Sequence, residues 1–382
     1  MRKFECNETE VRELIDRVVR RTMNIDFTWN WSCGVAYYGI SKAWEVTGNQ
    51  DYIDFLVKWV DEYLELGLPP FMVNSCAMGH TMLTLHEATG DSKYLDLAIS
   101  KAEYLRKDAI RFGEGVFQHT VSSENDFPEQ AWADTLFMAA YFLLRLGFKM
   151  DNKAYIDDAL NQFYWHEEYL QDTKTNLFYH AWDNIRQDHL SAIYWGRANA
   201  WAAYTMSQAY KMLNPFMPAW MQIGGALCDQ LSALVRLQTS EGLWRTVLND
   251  ETSYEETSAS AGIAAAIVIN GHPLHQNAIA KAYEGILANI DEDGSVRNVS
   301  AGTAVMHTAD DYKVISKKRV QGWGQGLTLA FLVALLQNKE LVSKISAFLI
   351  ARIKSNKCRG ATIVPLSDFP GEYKFLLDKG TR

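Results

Sequence analysis

Hydrophobic and polar positions along the chain follow two alternating patterns, both with helical spacing. In the first, apolar residues recur between charged ones, as where Tyr52, Phe55, Leu56, Trp59 and Tyr63 share one face of the stretch from Asp51 to Glu65. Stretches of this kind cover roughly 7–23, 50–66, 91–108, 151–170, 215–238 and 273–290. The second pattern is poor in charge and rich in small and apolar residues, over roughly 32–47, 74–90, 128–147, 194–213, 255–270 and 320–337. A helix that is apolar all round is a buried helix. The first set is therefore expected outside and the second inside, with one more helix near 339–355.

A near-repeat supports the pairing. TGNQDYIDF begins at Thr47, TGDSKYLDLA at Thr89, and a looser copy, LGFKMDNKAYIDDAL, at Leu146. Each reads as a helix stop at glycine, a polar turn and a new helix start. Links from inner to outer stretches are short, whereas most links from outer to inner stretches are long: 24–31, 109–127, 171–193, 239–254 and 291–319. In an up-down arrangement the long links gather at one end. The fold predicted is an all-α (α/α)6 toroid, a six-hairpin barrel, with its site at the mouth formed by the long links. An open helical solenoid is the alternative, but it requires similar short repeats throughout. The whole chain, 1–382, reads as a single barrel domain, with 354–382 as an extension packed on its outside.

Composition narrows the partners. Lys and Arg number 37 against 46 Asp and Glu, a net charge of −9, which argues against a nucleic-acid partner. Apolar runs such as Leu327 to Leu336 are too short to span a bilayer, and the first residues lack the apolar run of a signal peptide. Five scattered cysteines without a CxxC read as reduced thiols, and a cytoplasmic location is expected. The pattern leaves the oligomeric state open. No metal-binding spacing, phosphate-binding loop or nucleotide-cofactor motif is present, so neither metal nor cofactor is expected. The 12 tryptophans and 18 tyrosines can fill a core, and they are also surfaces on which sugars stack.

Two inner stretches hold isolated polar groups. In NDFPEQAWADTLFMAAYFLLRLG, Asp126, Pro128 and Glu129 resemble a helix start, and Asp134 then stands on an apolar face with Phe137, Met138 and Tyr141. A carboxylate there must be paired, protonated or functional. In HLSAIYWGRANAWAAYTM, Arg197 is the only formal charge between Tyr194 and Tyr210 and shares a face with Trp201. It suits either a carboxylate ligand or a buried ion pair, with Asp134 as one candidate partner. His119 and His180 fall in long mouth links. His80 and His86 read as core histidines, whereas His166, His272 and His275 read as surface or turn residues. Trp29, Trp31, Trp182, Trp195 and Trp244 group at the mouth. Asn74 fits both a helix N-cap and a polar group of the site, with the cap as the simpler reading.

AWADTLFM, YWGRANAWA, LFYHAWD, GLWRTVLNDETSYEETSASAG and QGWGQG resemble the unsaturated glycuronyl hydrolases of glycoside hydrolase families 88 and 105, with the closer likeness to the unsaturated rhamnogalacturonyl hydrolases of family 105. The resemblance implies the (α/α)6 fold and a particular reaction. Such enzymes hydrate the C4=C5 double bond that polysaccharide lyases leave on a terminal uronate, in short unsaturated oligosaccharides, and so release the neighbouring sugar. Carried over by motif, Asp134 is the general acid/base. His180, Trp195 and Arg197 match substrate-site motif positions, and Asn74, His119, Trp132, Trp182, Trp201 and Trp244 join them as substrate-site candidates from their places at the mouth. The acid role implies a raised carboxyl pKa, which the apolar setting of Asp134 favours. Many relatives carry a second Asp where this chain has Asn74. An asparagine can bind a sugar hydroxyl but cannot share a proton. Two other classes remain open to the residues alone: a sugar epimerase on the same fold, and a non-enzymatic helical scaffold with Asp134 and Arg197 as an ion pair.

Overall fold

The predicted turns punctuate the helices. Gly48 and Gly90 close two of them, and the side chains of Asn49 and Asp91 start the next by accepting backbone N–H groups two residues on. The computed structural model describes residues 7–338. In chain order the helices are α1 (Glu8–Met23), α2 (Trp31–Thr47), α3 (Gln50–Leu66), α4 (Met78–Thr89), α5 (Ser92–Lys107), α6 (Phe142–Met150), α7 (Lys153–Leu170), α8 (Gly196–Met212), α9 (Pro218–Arg236), α10 (Thr257–Asn270), α11 (Gln276–Leu287), the short α12 (Ala309–Lys313) and α13 over 322–338. The helix expected near 339–355 and the extension 354–382 lie outside the described residues.

The even-numbered helices α2 to α10 and α13 form the inner ring. Neighbours pack in sequence: α2 on α4, α4 on α6, the turn before α6 on α8, and α8 on α10. Each inner helix also packs on the outer helix that follows it, from α3 to α11, while α1 covers α2. The inner faces are buried almost without interruption, as in α10, where Thr257 to Val268 are all inaccessible. The ring closes where α2 meets α13. A Cβ built on Gly326 would lie 2.1 Å from the Val35 carbonyl oxygen, and one on Gly39 would lie 2.6 Å from Gly326 Cα. Only glycine allows this approach, which is what QGWGQG provides. Gly326→Ala is therefore expected to destabilise the fold by about 1–3 kcal/mol through overpacking. Gly225→Ala, on the outer helix α9 with nothing within 4 Å of the added carbon, should instead stabilise by up to about 1 kcal/mol. Urea midpoints of the two variants check the pair.

Several sequence expectations change, and one is His86, read as a core histidine but only half-buried in the last turn of α4, with Nδ1 3.1 Å from the Asp91 carbonyl oxygen. The stretch 128–147 does not start a helix at Pro128. Glu129 has φ of 52°, and Gln130–Trp132 form a short strand, so the Asp126–Glu129 capping box is absent and helix begins only at Asp134. Residues 74–90 open with a 3-10 turn, Asn74–Ala77, before α4. Asn74 lies inside that turn and caps nothing, because the cap position is Val73 and no side chain bonds there. His166 is no surface residue: it is fully buried in α7, with Nδ1 2.8 Å from the Gln162 carbonyl oxygen.

Candidate active site

The mouth is assembled by short backbone pairings among the long links. Among the described residues the strands are β1 (Arg111–Phe112), β2 (Val116–Phe117), β3 (Gln130–Trp132) and β4 (Ala181–Asp183). β1 and β2 pair with each other, and β3 runs antiparallel to β4, with Ala131 opposite Trp182 and Trp132 opposite Ala181. The His119 amide donates to the Gln130 carbonyl at 2.8 Å, and the Ala133 amide to the His180 carbonyl at 3.1 Å. Segments far apart in sequence thus bring His119 and His180 beside Asp134.

Asp134 stands in the first turn of its helix, where the partial positive charge of the helix end favours a carboxylate. A π-helix, Leu136–Tyr141, follows at once. Such wide turns break the regular ladder and are frequent at functional sites. The carbonyl of Phe137, within this turn, lies 3.0 Å from His80 Nε2, and Arg145 lies 3.0 Å from His80 Nδ1. Arginine can only donate, so Nδ1 accepts and Nε2–H donates to Phe137. His80 is a neutral core residue that fixes the turn beneath Asp134.

A cavity of ≈ 230 Å³ opens at the mouth. The inner helices contribute residues at or next to their N-terminal ends: Trp31, Asn74, Asp134, Trp195 and Arg197. The links add His119, Trp132, Val121 and Phe127 on one side and Gly302 to Ala304 on the other. Asp134 is the only carboxylate among these lining residues. Its Oδ2 is buried without a hydrogen-bond partner, and so are His180 Nε2 and Asn74 Oδ1. Buried polar atoms are rarely left unpaired, and three at one place mark a site built for something else. Asp134 Oδ2 and His180 Nε2 face each other at 3.6 Å, too far for an ordinary hydrogen bond.

Burial pushes the Asp134 carboxyl up, but His180, His119 and Arg197 outweigh it, and the group is held below the ordinary carboxylate value. The raised pKa expected from an apolar setting is therefore not found, because the neighbours are not apolar. His180 is pushed down by burial, with Asp134 opposing, and His119 falls to about 4 for the same reason. The resting arrangement is a carboxylate facing two neutral imidazoles. His119 is held by Thr135 Oγ1 at 2.9 Å from Nδ1 and stacks on Trp132 at 4.5 Å between ring centres.

Arg197 is fully buried and its fork is largely occupied. One terminal nitrogen lies 2.6 Å from Ser300 Oγ and 3.4 Å from Glu256 Oε1, and the other lies 3.0 Å from the Ala301 carbonyl and 3.2 Å from Thr303 Oγ1. Its ion-pair partner is Glu256 and not Asp134. The guanidinium lies 4.3 Å from the Trp195 ring centre and forms a cationic wall of the cavity. Gly196 sets this corner, since a Cβ there would sit 2.4 Å from the Arg245 carbonyl oxygen. Behind the turn that carries Asn74, buried Lys101 places Nζ 3.5 Å from the Ser75 carbonyl and 4.3 Å from the Phe71 ring centre.

Of the residues singled out from sequence, the structure brings Asn74, His119, Trp132, Asp134, Trp195 and Arg197 to the cavity, with His180 directly behind Asp134. It does not bring Trp182, Trp201 or Trp244 there. Trp182 stacks on Tyr169, Trp201 packs under Phe137, and Trp244 donates its indole N–H to the Leu234 carbonyl at 2.7 Å. Trp29 stacks on Trp59 in the core, whereas Trp31 lines the cavity and stacks on Trp323. Sequence reading missed the 300–304 segment, Glu256 and Tyr312. The signals for Glu256 were its place at the start of the inner stretch 255–270 and inside the motif GLWRTVLNDETSYEETSASAG.

An (α/α)6 barrel with an aromatic-walled mouth and one carboxylate facing imidazoles is a framework suited to a carbohydrate-processing enzyme. The family model described as Glycosyl Hydrolase Family 88 matches residues 5–339, and the chain belongs to that family. It is 54% identical over 341 residues to the unsaturated rhamnogalacturonyl hydrolase YesR of Bacillus subtilis, covering 89% of this chain and 99% of that one. An unsaturated 3S-rhamnoglycuronyl hydrolase of an Alteromonas species is 21% identical, over 78% of this chain and 75% of its own. A crystal structure from Salmonella enterica, described as a possible member of the GH105 family, matches with a TM-score of 0.84 at 26% identity, covering 89% of this chain and 97% of that chain. The enzyme and family readings of the motifs agree with these findings.

Proposed function

We propose that the enzyme hydrates the C4=C5 double bond of a terminal unsaturated uronate on short lyase-generated oligosaccharides, with a uronate joined to rhamnose as the favoured class. The observation that carries this reading is the single carboxylate of the cavity. Ordinary glycosidases flank the anomeric bond with two carboxyl groups, one as acid and one as base or nucleophile. Asn74 stands near Asp134 where a second carboxylate would serve, and it cannot ionise. Hydration of a vinyl ether needs one group that gives a proton and later takes one back.

Asp134 protonates C4, positive charge develops at C5 and on the ring oxygen, and water adds at C5 while Asp134 accepts its proton. The resulting hemiketal opens to a C5 ketone. C1 is left as an open-chain hemiacetal, which expels the neighbouring sugar. Asp134 rests ionised, so the bound substrate must help to protonate it. The uronate brings a like charge and displaces water, and both raise a carboxyl pKa. Arg197 supplies the compensating positive wall, and His119 and Asn74 present polar atoms to the sugar hydroxyls. Trp31, Trp132 and Trp195 offer ring faces. The similarity to YesR supports the rhamnose-linked class. The buried thiols of Cys33 and Cys76 support action in the cytoplasm on imported fragments.

The test follows the near-ultraviolet absorbance of the conjugated enol-ether acid in water enriched in oxygen-18. The absorbance should fall, and the label should appear at C5 of the keto-uronate with none on the anomeric carbon. Label on the anomeric carbon of product reduced with borohydride at the earliest turnover, before the free aldehyde exchanges its oxygen with water, would show direct glycosidic attack and defeat the proposal.

A further inference from the structure

The link between α11 and α13 holds the site from behind at two places. Ser300 and Thr303 engage Arg197, and Tyr312, on α12, engages His180. Tyr312 is fully buried, and α12 is set by a reciprocal cap between Thr308 and Asp311. The Tyr312 hydroxyl accepts the Met306 amide proton at 3.2 Å and lies 2.7 Å from His180 Nδ1. A hydroxyl has one proton to give. Met306 donates to the oxygen, and Ser191 Oγ stands beside it without a hydrogen bond of its own; Nδ1, at 2.7 Å, takes the proton, which would be costly to leave unpaired in the interior. Burial keeps the tyrosine in its neutral, donating form, pushed up to about 12.

We propose that Tyr312 is a positioning residue that holds His180 as the tautomer whose Nε2–H points at Asp134. Nε2 is the buried imidazole atom without a partner, and it faces the equally unpartnered Asp134 Oδ2 at 3.6 Å. Contacts of this kind are often long in an empty site and tighten when substrate is bound. The N–H stabilises the carboxylate that Asp134 becomes once its proton has gone to C4. A freed imidazole would place its proton on either nitrogen and could turn a lone pair toward Asp134. His119 and Arg197 also face Asp134, and Asp311 lies beside Tyr312. Tyr312→Phe leaves all three in place.

The catalytic consequence rests on the proposed hydration, but the tautomer does not, and two measurements separate them. Nitrogen-15 spectra of histidine-labelled wild type, with His180 assigned by His180→Gln, should show a protonated Nε2 and an accepting Nδ1. A protonated Nδ1 overturns the proposal whatever the enzyme's substrate. In Tyr312→Phe, kcat should fall about tenfold or more while KM moves less than about twofold, the split expected when an interaction is made in the transition state. Asp134 loses its donor, so its pKa rises and the descending limb of kcat against pH moves to higher pH. A variant with an unmoved limb would show Tyr312 to be packing only. If Tyr312→Phe does not fold, the wild-type spectrum decides. If wild type consumes no unsaturated uronate, the hydration reading fails and the spectrum still decides the tautomer.

Discussion

Asp134→Asn is expected to abolish turnover, lowering kcat by about 10²–10⁴-fold, the range for loss of a positioned acid/base. The substitution changes charge and proton capacity while keeping shape. No other cavity-lining residue is a carboxylate, and the nearby imidazoles rest neutral, with His119 at about 4. An imidazole that weakly basic cannot hold a proton at neutral pH to replace the one lost. Stability should fall modestly, because His180, His119 and Arg197 hold the carboxyl below its ordinary value and so favour the charge the amide lacks, while Oδ2 has no hydrogen bond to lose. The measurement pairs loss of enol-ether absorbance with a thermal melt. A folded Asp134→Asn variant that keeps a tenth of wild-type turnover would remove Asp134 from the chemistry. Activity that instead fell with a histidine pair would point to the epimerase class.

The ring was legible because two levels of pattern agreed. Charged amphipathic stretches alternated with uniformly apolar ones, and the short and long links sorted themselves to opposite ends. What the sequence obscured lies mostly in non-local pairing. Pro128 and Glu129 look like a helix start, yet β3 pairs with β4 about 50 residues away, and that tertiary ladder outweighs the local signal. Asn74 looks like a cap because caps and site amides use the same side chain. The lowered pKa of Asp134 was hidden for the same reason: apolar neighbours along the helix are visible in sequence, whereas His119, His180 and Arg197 arrive from three other elements. The tryptophans show the limit of composition. Trp31, Trp132 and Trp195 reach the cavity and Trp182, Trp201 and Trp244 do not, and nothing in their local sequence separates the two groups.

Glu256→Ala should be the most destabilising single change near the site, by about 3–5 kcal/mol, the range for breaking one side of a buried ion pair. Glu256 is fully buried and caps α10, accepting the Ala259 amide at 2.6 Å. Its other oxygen accepts the Ser300 amide at 2.8 Å, lies 2.8 Å from Ser258 Oγ and pairs with Arg197 at 3.4 Å. Alanine leaves an uncompensated guanidinium in the interior together with several unpaired donors. Glu256→Gln should fall between the two, since an amide oxygen can still accept one of those protons but carries no charge. The loss should also reach the chemistry, because Arg197 already draws the Asp134 carboxyl downward. Without Glu256 its positive charge acts unopposed, Asp134 becomes harder to protonate, and residual turnover in the folded fraction should fall off at lower pH than in wild type. Urea unfolding of the three proteins, followed by pH profiles of those that remain folded, tests both parts. An alanine variant within about 1 kcal/mol of wild type would mean that the Ser300 and Ala301 contacts alone hold Arg197, at 2.6 and 3.0 Å, and that the ion pair is incidental to the cavity wall.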